Sequence, residues 1–122
     1  TELFYAANTF YYPIPRRKIK TLSEEQRINE TTRVRIIGLT LETRPDAVNM
    51  NELARMREYG CTRVQIGVQH TNDDILKRVN RGCYLEDTVR AMKMVKDCGF
   101  KLDAHWMTQL PGTLFFFEES FF

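Results

Sequence analysis

Two stretches decide the fold: Gly38-Leu-Thr-Leu-Glu-Thr-Arg-Pro-Asp46 and Gly60-Cys-Thr-Arg-Val-Gln-Ile-Gly-Val-Gln-His70. Each is a β-type run that ends in polar residues, and a helical pattern lies between them. Residues 34–41 are mostly apolar, which suits a strand covered on both faces, and Pro45 stops the run. Asn49 or Asn51 then caps a helix over about residues 50–59, with Met50, Leu53 and Met56 on one face and Gly60 as its stop. Residues 63–68 form the next strand. A strand that delivers Glu42, Arg44 and Asp46, or Gln69 and His70, at its C-terminal end builds a ligand site in the manner of an α/β barrel.

The pattern continues on both sides. Residues 73–79 and 86–98 read as helices, the second with Val89, Met92 and Val95 in its apolar stripe and Gly99 at its end. Residues 101–107 form a last strand, and Leu110-Pro111-Gly112 a turn. Upstream, residues 3–10 are apolar and aromatic and read as a strand. Residues 11–20, with Pro13 and Pro15, read as a loop, and Thr21 or Ser23 opens a helix to about residue 32. Strands alternating with helices predict βαβ units and a parallel sheet with helices outside. Three or four strands cannot close a barrel, so the expected fold is an arc cut from one. The proposed division is a domain over residues 1–112 and a Phe-rich tail over 113–122. That tail holds five of the eight phenylalanines. It reads either as a helix covering the sheet or as a segment unrelated to the fold.

The bulk numbers narrow the function classes. With 43% hydrophobic and 28% charged residues, 122 residues suffice for a small ordered domain or a piece of a larger one. The chain begins with Thr1, which suggests a processed chain or a fragment. A net charge of +2 is too small to argue for nucleic acid by itself. The local cluster Arg16, Arg17, Lys18 and Lys20, with Tyr11 and Tyr12 nearby, offers charge for phosphate and rings for stacking. Its blander reading is a solvated loop. Cys61, Cys83 and Cys98 are too far apart for a CxxC or CxxxCxxC metal site and read as reduced packing thiols. No apolar run approaches the ~20 residues of a membrane helix, so no membrane partner is expected.

In order and spacing, several phrases together closely resemble one family: Leu3-Phe-Tyr-Ala-Ala-Asn-Thr9, Ile37-Gly-Leu-Thr-Leu-Glu-Thr-Arg-Pro-Asp46, Tyr59-Gly-Cys-Thr-Arg-Val-Gln-Ile-Gly-Val-Gln-His70, Asn80-Arg-Gly82, Lys96-Asp-Cys-Gly-Phe-Lys101, His105-Trp-Met107 and Leu110-Pro-Gly112. The family is the radical S-adenosylmethionine (SAM) domain of Elongator-type tRNA uridine acetyltransferases, and the resemblance covers about residues 3–112. It implies a partial radical SAM (βα) barrel. It also implies SAM bound to a [4Fe–4S] cluster whose cysteines lie outside this chain, and acetyl-coenzyme A held mostly elsewhere. The resemblance further implies that one electron cleaves SAM to a deoxyadenosyl radical, which would take hydrogen from acetyl-coenzyme A so that the acetyl radical could add to C5 of the wobble uridine. The implied partners are tRNA and other Elongator subunits, in the cytoplasm and in the nucleus. By itself such a fragment is expected to be inactive.

Residue by residue, the resemblance assigns Glu42 to the SAM ammonium or ribose hydroxyls and Arg44 to a carboxylate. It assigns Gln69 to the ribose, Gly67 to a close backbone approach, and Arg81 to the SAM carboxylate. Where the family reads Met-Pro-Asp/Asn-Leu-Pro, this chain has Met107-Thr108-Gln109-Leu110-Pro111, so Gln109 stands as a longer amide at a SAM-facing position. The blander readings are a surface ion pair for Glu42 and Arg44, loop closure for Gln69, strand-end packing for Gly67 and helix-end charge for Arg81. His70 and His105 read as hydrogen-bonded packing residues. The competing functions are another radical SAM enzyme, of the coproporphyrinogen-oxidase kind, and a non-catalytic segment that binds tRNA or Elongator subunits. The SAM reading requires Glu42 and Gln69 to share one side of the sheet.

Overall fold

The computed structural model describes residues 1–113, in two compact units, residues 1–39 and the unit that begins at Thr40. The tail expected over 113–122 lies outside the described residues apart from Thr113.

The first unit is helical. Helix α1 (Glu2–Asn8) occupies the segment expected as a strand, and helix α2 is Leu22–Asn29. The aromatic content of residues 3–10 mimics a strand, but Phe4 and Asn8 are its buried residues, one helical turn apart. Thr21 caps α2 with a capping box: its hydroxyl accepts from the Glu24 amide while Glu24 accepts from the Thr21 amide. The helix stops three residues short of the expected residue 32. Asn29 is occupied there, donating to the Val34 carbonyl at 3.0 Å and accepting from the Ile36 amide at 2.7 Å.

The second unit is an α/β layer. Strands β1 (Thr40–Thr43), β2 (Arg63–Gln69) and β3 (Lys101–Trp106) form one parallel sheet in the order β1-β2-β3. Helix α3 (Met50–Glu58) joins β1 to β2, and α4 (Asp73–Arg78) and α5 (Leu85–Asp97) join β2 to β3. The strand expected over residues 34–41 is shifted: only 40–43 pair. Thr40 stands opposite Arg63, the first residue of β2, so the ladder begins where β2 begins.

Register sorts the side chains. Parallel partners face the same side, so Leu41, Val64 and Leu102 share one face, as do Ile66 and Val68. That face is the core, packed with Val48, Leu53, Ala91, Val95 and Phe100 from the helical side. The opposite face carries Thr40, Arg63 and Lys101 in one row, then Glu42, Gln65 and Asp103, then Gly67 and His105. One face buried under helices and one polar face is the arrangement of a barrel wall seen from outside and inside.

Candidate functional site

The C-terminal ends of the three strands build the site. β2 carries an irregularity between Gly67 and Gln69, pairing Gly67 with His105 and Gln69 with Trp106 across one extra residue. The bulge leaves Gln69 with φ 68°, a left-handed conformation that a non-glycine residue holds only against a cost of about 1–3 kcal/mol. The Gln69 carbonyl is fixed by the Met107 amide at 2.9 Å.

Arg81 arrives from the other direction. Helix α4 ends with Asn80 at φ 53° and the Arg81 amide bonded back to the Leu76 carbonyl at 2.9 Å. This left-handed stop turns the chain toward the sheet. The Arg81 guanidinium then donates to the Gly67 carbonyl at 2.7 Å.

Gly67 is the floor of this meeting. A Cβ there would lie 3.0 Å from Arg81 Nη2 and 3.1 Å from Gln69 Nε2. Three expected site residues, Gly67, Gln69 and Arg81, therefore converge on one spot. Two polar atoms in it are buried without a hydrogen-bond partner among the described residues, Gln69 Oε1 and Arg81 Nε. A buried acceptor or donor left unpaired costs about 1–3 kcal/mol, so such atoms are normally paired. Here one acceptor and one donor sit beside a backbone stripped of its side chain.

Glu42 lies on the same polar face, since it shares a row with Gln65 and Asp103. The Gln69 amide is on that side too, because it approaches the position of a Gly67 side chain. The two residues face the same way, as the SAM reading requires. Glu42 Oε1 lies 2.9 Å from His105 Nδ1, a contact that passes over β2 from one edge strand to the other. His105 is thus hydrogen-bonded, as expected, but its partner is the carboxylate of the candidate site. The signal that marks it is the alternation Lys101, Asp103, His105 against Leu102, Ala104, Trp106, which puts His105 on the polar face. Below it, Arg63 and Asp103 pair at 2.6 Å, and that guanidinium holds the Asp103 carboxyl below the usual carboxylate range. Sequence reasoning passed over this lower row.

Arg44 plays a different part. Its guanidinium is engaged by both oxygens of Asp46, at 2.9 and 3.0 Å, and also donates to the Arg81 carbonyl at 3.1 Å. The Arg44 guanidinium holds the Asp46 carboxyl below its ordinary value. Arg44 therefore braces the Arg81 segment from behind. Gln109 stands in the exposed turn after β3. His70 accepts from the Asn72 amide at 2.9 Å, and its ring lies 5.9 Å from that of Trp106.

The basic cluster belongs to the first unit. Arg16, Lys18 and Lys20 are exposed there. Arg17 is not: its guanidinium meets both oxygens of the fully buried Glu25 at 2.6 Å and lies 5.3 Å from the centre of the Tyr5 ring. Asn8 and the Lys20 amide add hydrogen bonds of 2.8 and 3.0 Å to Glu25. Together they hold the Glu25 carboxyl down to about 2, the Arg17 contact first among the causes.

The donor set suits a polar organic ligand rather than a bare metal. No three His, Cys, Asp or Glu side chains cluster as metal ligands among the described residues. Cys61, Cys83 and Cys98 are free thiols, the first two buried. SAM fits the chemistry of the convergence: its amino-acid and ribose groups offer both donors and acceptors to Gln69 Oε1 and Arg81 Nε, while Gly67 lets those two side chains close down on the β2 backbone. No helix of the described residues is long and apolar enough to cross a membrane.

Comparison with known proteins adds a second line of argument. The profile described as the Radical SAM superfamily matches residues 3–112. A tRNA uridine(34) acetyltransferase of Methanocaldococcus infernus is 41% identical over 106 residues, covering 87% of this chain and 20% of that protein. One from Dehalococcoides mccartyi is 44% identical over 93 residues, covering 76% of this chain and 20% of that protein. Elongator complex protein 3 of Dictyostelium discoideum is 40% identical over 91 residues, covering 75% and 16%. The chain thus spans about a fifth of the length of these curated relatives. Among solved structures, the archaeal Methanocaldococcus infernus Elp3 with an N-terminal deletion (1–46) superposes with a TM-score of 0.82 at 40% identity. It covers 91% of this chain and 24% of that one.

Proposed function

The chain belongs to the radical SAM superfamily, and from that membership we propose that it is a stretch of a tRNA-modifying enzyme. The reaction places an acetyl-derived, carboxymethyl-type group on C5 of the wobble uridine, with acetyl-coenzyme A as co-substrate. SAM and its [4Fe–4S] cluster supply radical hydrogen abstraction when bound, the cluster held by cysteines outside the described residues. The relatives named as tRNA uridine(34) acetyltransferases support the substrate class. Elongator complex protein 3 among the relatives supports an assembly with other Elongator subunits. Three free thiols suit a reducing, cytoplasmic setting.

This chain's own residues bind and orient. Arg81 Nε donates to the SAM carboxylate, Gln69 Oε1 accepts from a ribose hydroxyl, and Glu42 accepts from hydroxyl or ammonium. Arg44, with Asp46, holds the Arg81 segment in place, and Gly67 lets the Arg81 and Gln69 side chains that meet the ligand close down on the β2 backbone. Gln109, in the exposed turn after β3, offers its amide to the SAM ribose or adenine. Arg16, Lys18 and Lys20 meet tRNA phosphates. The observation that carries the reading is the pair of buried unpartnered atoms over Gly67.

The test is direct. The full-length protein, reconstituted anaerobically with iron and sulfide and reduced, is given SAM, acetyl-coenzyme A and tRNA. The expected products are 5′-deoxyadenosine and a uridine-modified tRNA. 5′-Deoxyadenosine formed with a porphyrinogen instead of tRNA would move the protein to another radical SAM activity. Its absence under all conditions would leave only a binding role.

A further inference from the structure

We propose that His105 is a positioning residue for Glu42: it fixes which carboxylate oxygen is offered to the ligand. The inference rests on the SAM reading above and goes beyond it in naming the residue that sets the Glu42 carboxylate. Glu42 sits on edge strand β1 and His105 on edge strand β3, with β2 between them. Neighbouring strands are about 4.8 Å apart, so the two backbones are roughly 10 Å apart and the side chains must span β2 to meet. They do so at 2.9 Å. His105 is level with Gly67, so the β2 residue beside it projects no side chain of its own between them.

The chemistry fixes the direction of the bond. A carboxylate only accepts, so His105 Nδ1 carries the proton and donates to Oε1. Oε1 is thereby committed and Oε2 is left for the ligand. Both side chains are half-exposed, 42% for His105 and 57% for Glu42, so the free oxygen and the outer imidazole nitrogen are open on the polar face. A flexible glutamate on an edge strand loses rotamer freedom when it binds, and a partner that holds it beforehand lowers that cost. The contact is a charge-assisted hydrogen bond, the stronger class.

The experiment measures SAM dissociation constants by equilibrium dialysis on the reconstituted full-length protein and four variants: Glu42→Ala, His105→Ala, His105→Asn and the double variant Glu42→Ala/His105→Ala. Asparagine keeps an N–H near the place of Nδ1. The expected result is about tenfold weaker binding for His105→Ala, in line with a lost hydrogen bond to a charged group. His105→Asn recovers most of it, and the double variant binds no more weakly than Glu42→Ala alone. His105→Ala binding within twofold of wild type overturns the proposal. So does a double variant in which the two losses multiply, because His105 would then act on the ligand directly. If His105→Ala does not fold, His105→Gln takes its place: its amide reaches toward Nε2 rather than Nδ1, and equal affinity of the Asn and Gln variants overturns the assignment. A wild-type protein that binds no SAM at all instead removes the functional reading from which the inference starts.

Discussion

Glu25, fully buried, and Gln69, half-buried with its side-chain oxygen covered, are two polar side chains with opposite accounts. Glu25, in the helical unit, has every oxygen answered: Arg17 twice, Asn8 and the Lys20 amide. Gln69, at the end of β2, keeps a buried oxygen with no partner and holds a left-handed backbone as well. The first arrangement spends its hydrogen bonds on holding loop 11–20 to α2. The second keeps them in reserve. A fully satisfied network stabilises, whereas a half-satisfied one is costly unless something else completes it. The contrast separates a structural site from a ligand site within one chain.

The largest effect should fall on the satisfied site. Arg17→Met leaves Glu25 buried without its cation, and breaking a buried pair this way costs on the order of 3 kcal/mol. Hydrogen exchange in the full-length protein should show α2 amides losing about a hundredfold of their protection, while β2 amides keep theirs. Unchanged protection in α2 would show that the ion pair holds nothing together. Acid probes the same carboxyl. Its folded value of about 2 lies below the usual 4.5, so its stabilisation is fully present above about pH 4.5. It fades as pH falls from there toward 2, and α2 protection, corrected for intrinsic exchange, should fade with it.

Gln69→Gly tests the other side of the contrast. Glycine accepts φ 68° freely, and the unpaired oxygen disappears, so the fold should be unharmed or gain up to about 1 kcal/mol. SAM affinity should drop about tenfold, as expected when a ligand loses a hydrogen-bond partner in a buried site. A variant that loses stability and keeps SAM affinity would place Gln69 among the structural residues, beside Glu25.

Much of this contrast was legible in the residues, and the failures have physical causes. β2, β3, α3 and α5 followed from β-type runs, an Asn cap, apolar stripes and glycine stops, because those signals are local. The strand read at residues 34–41 slid to 40–43, because a strand needs a partner and β2 begins only at Arg63. Residues 3–10 became a helix because burial of Phe4 and Asn8 outweighed aromatic strand propensity. Gly67, Gln69 and Arg81 were nameable in advance, yet their convergence depends on the Asn80 turn and the β2 bulge. The partner of His105 escaped because it is 63 residues away in sequence. Arg17 looked like its basic neighbours, and only the fold shows Glu25 taking its charge.

That last distinction yields the smallest predicted effect. Each Lys or Arg that meets a phosphate contributes about one unit to the slope of log affinity against log salt, because it releases condensed counterions. Arg16, Lys18 and Lys20 are exposed and have charge to give. Arg17 is already neutralised by a carboxylate at 2.6 Å. Replacing Arg16, Lys18 or Lys20 by Gln in the full-length protein should therefore flatten the salt dependence of tRNA binding by up to about one unit each. Arg17→Lys, which retains the charge toward Glu25, should leave the slope where it was. A slope that responds to Arg17→Lys as it does to Lys18→Gln would mean that this guanidinium faces RNA rather than Glu25. The line drawn between the satisfied and the open site would then have to be drawn elsewhere.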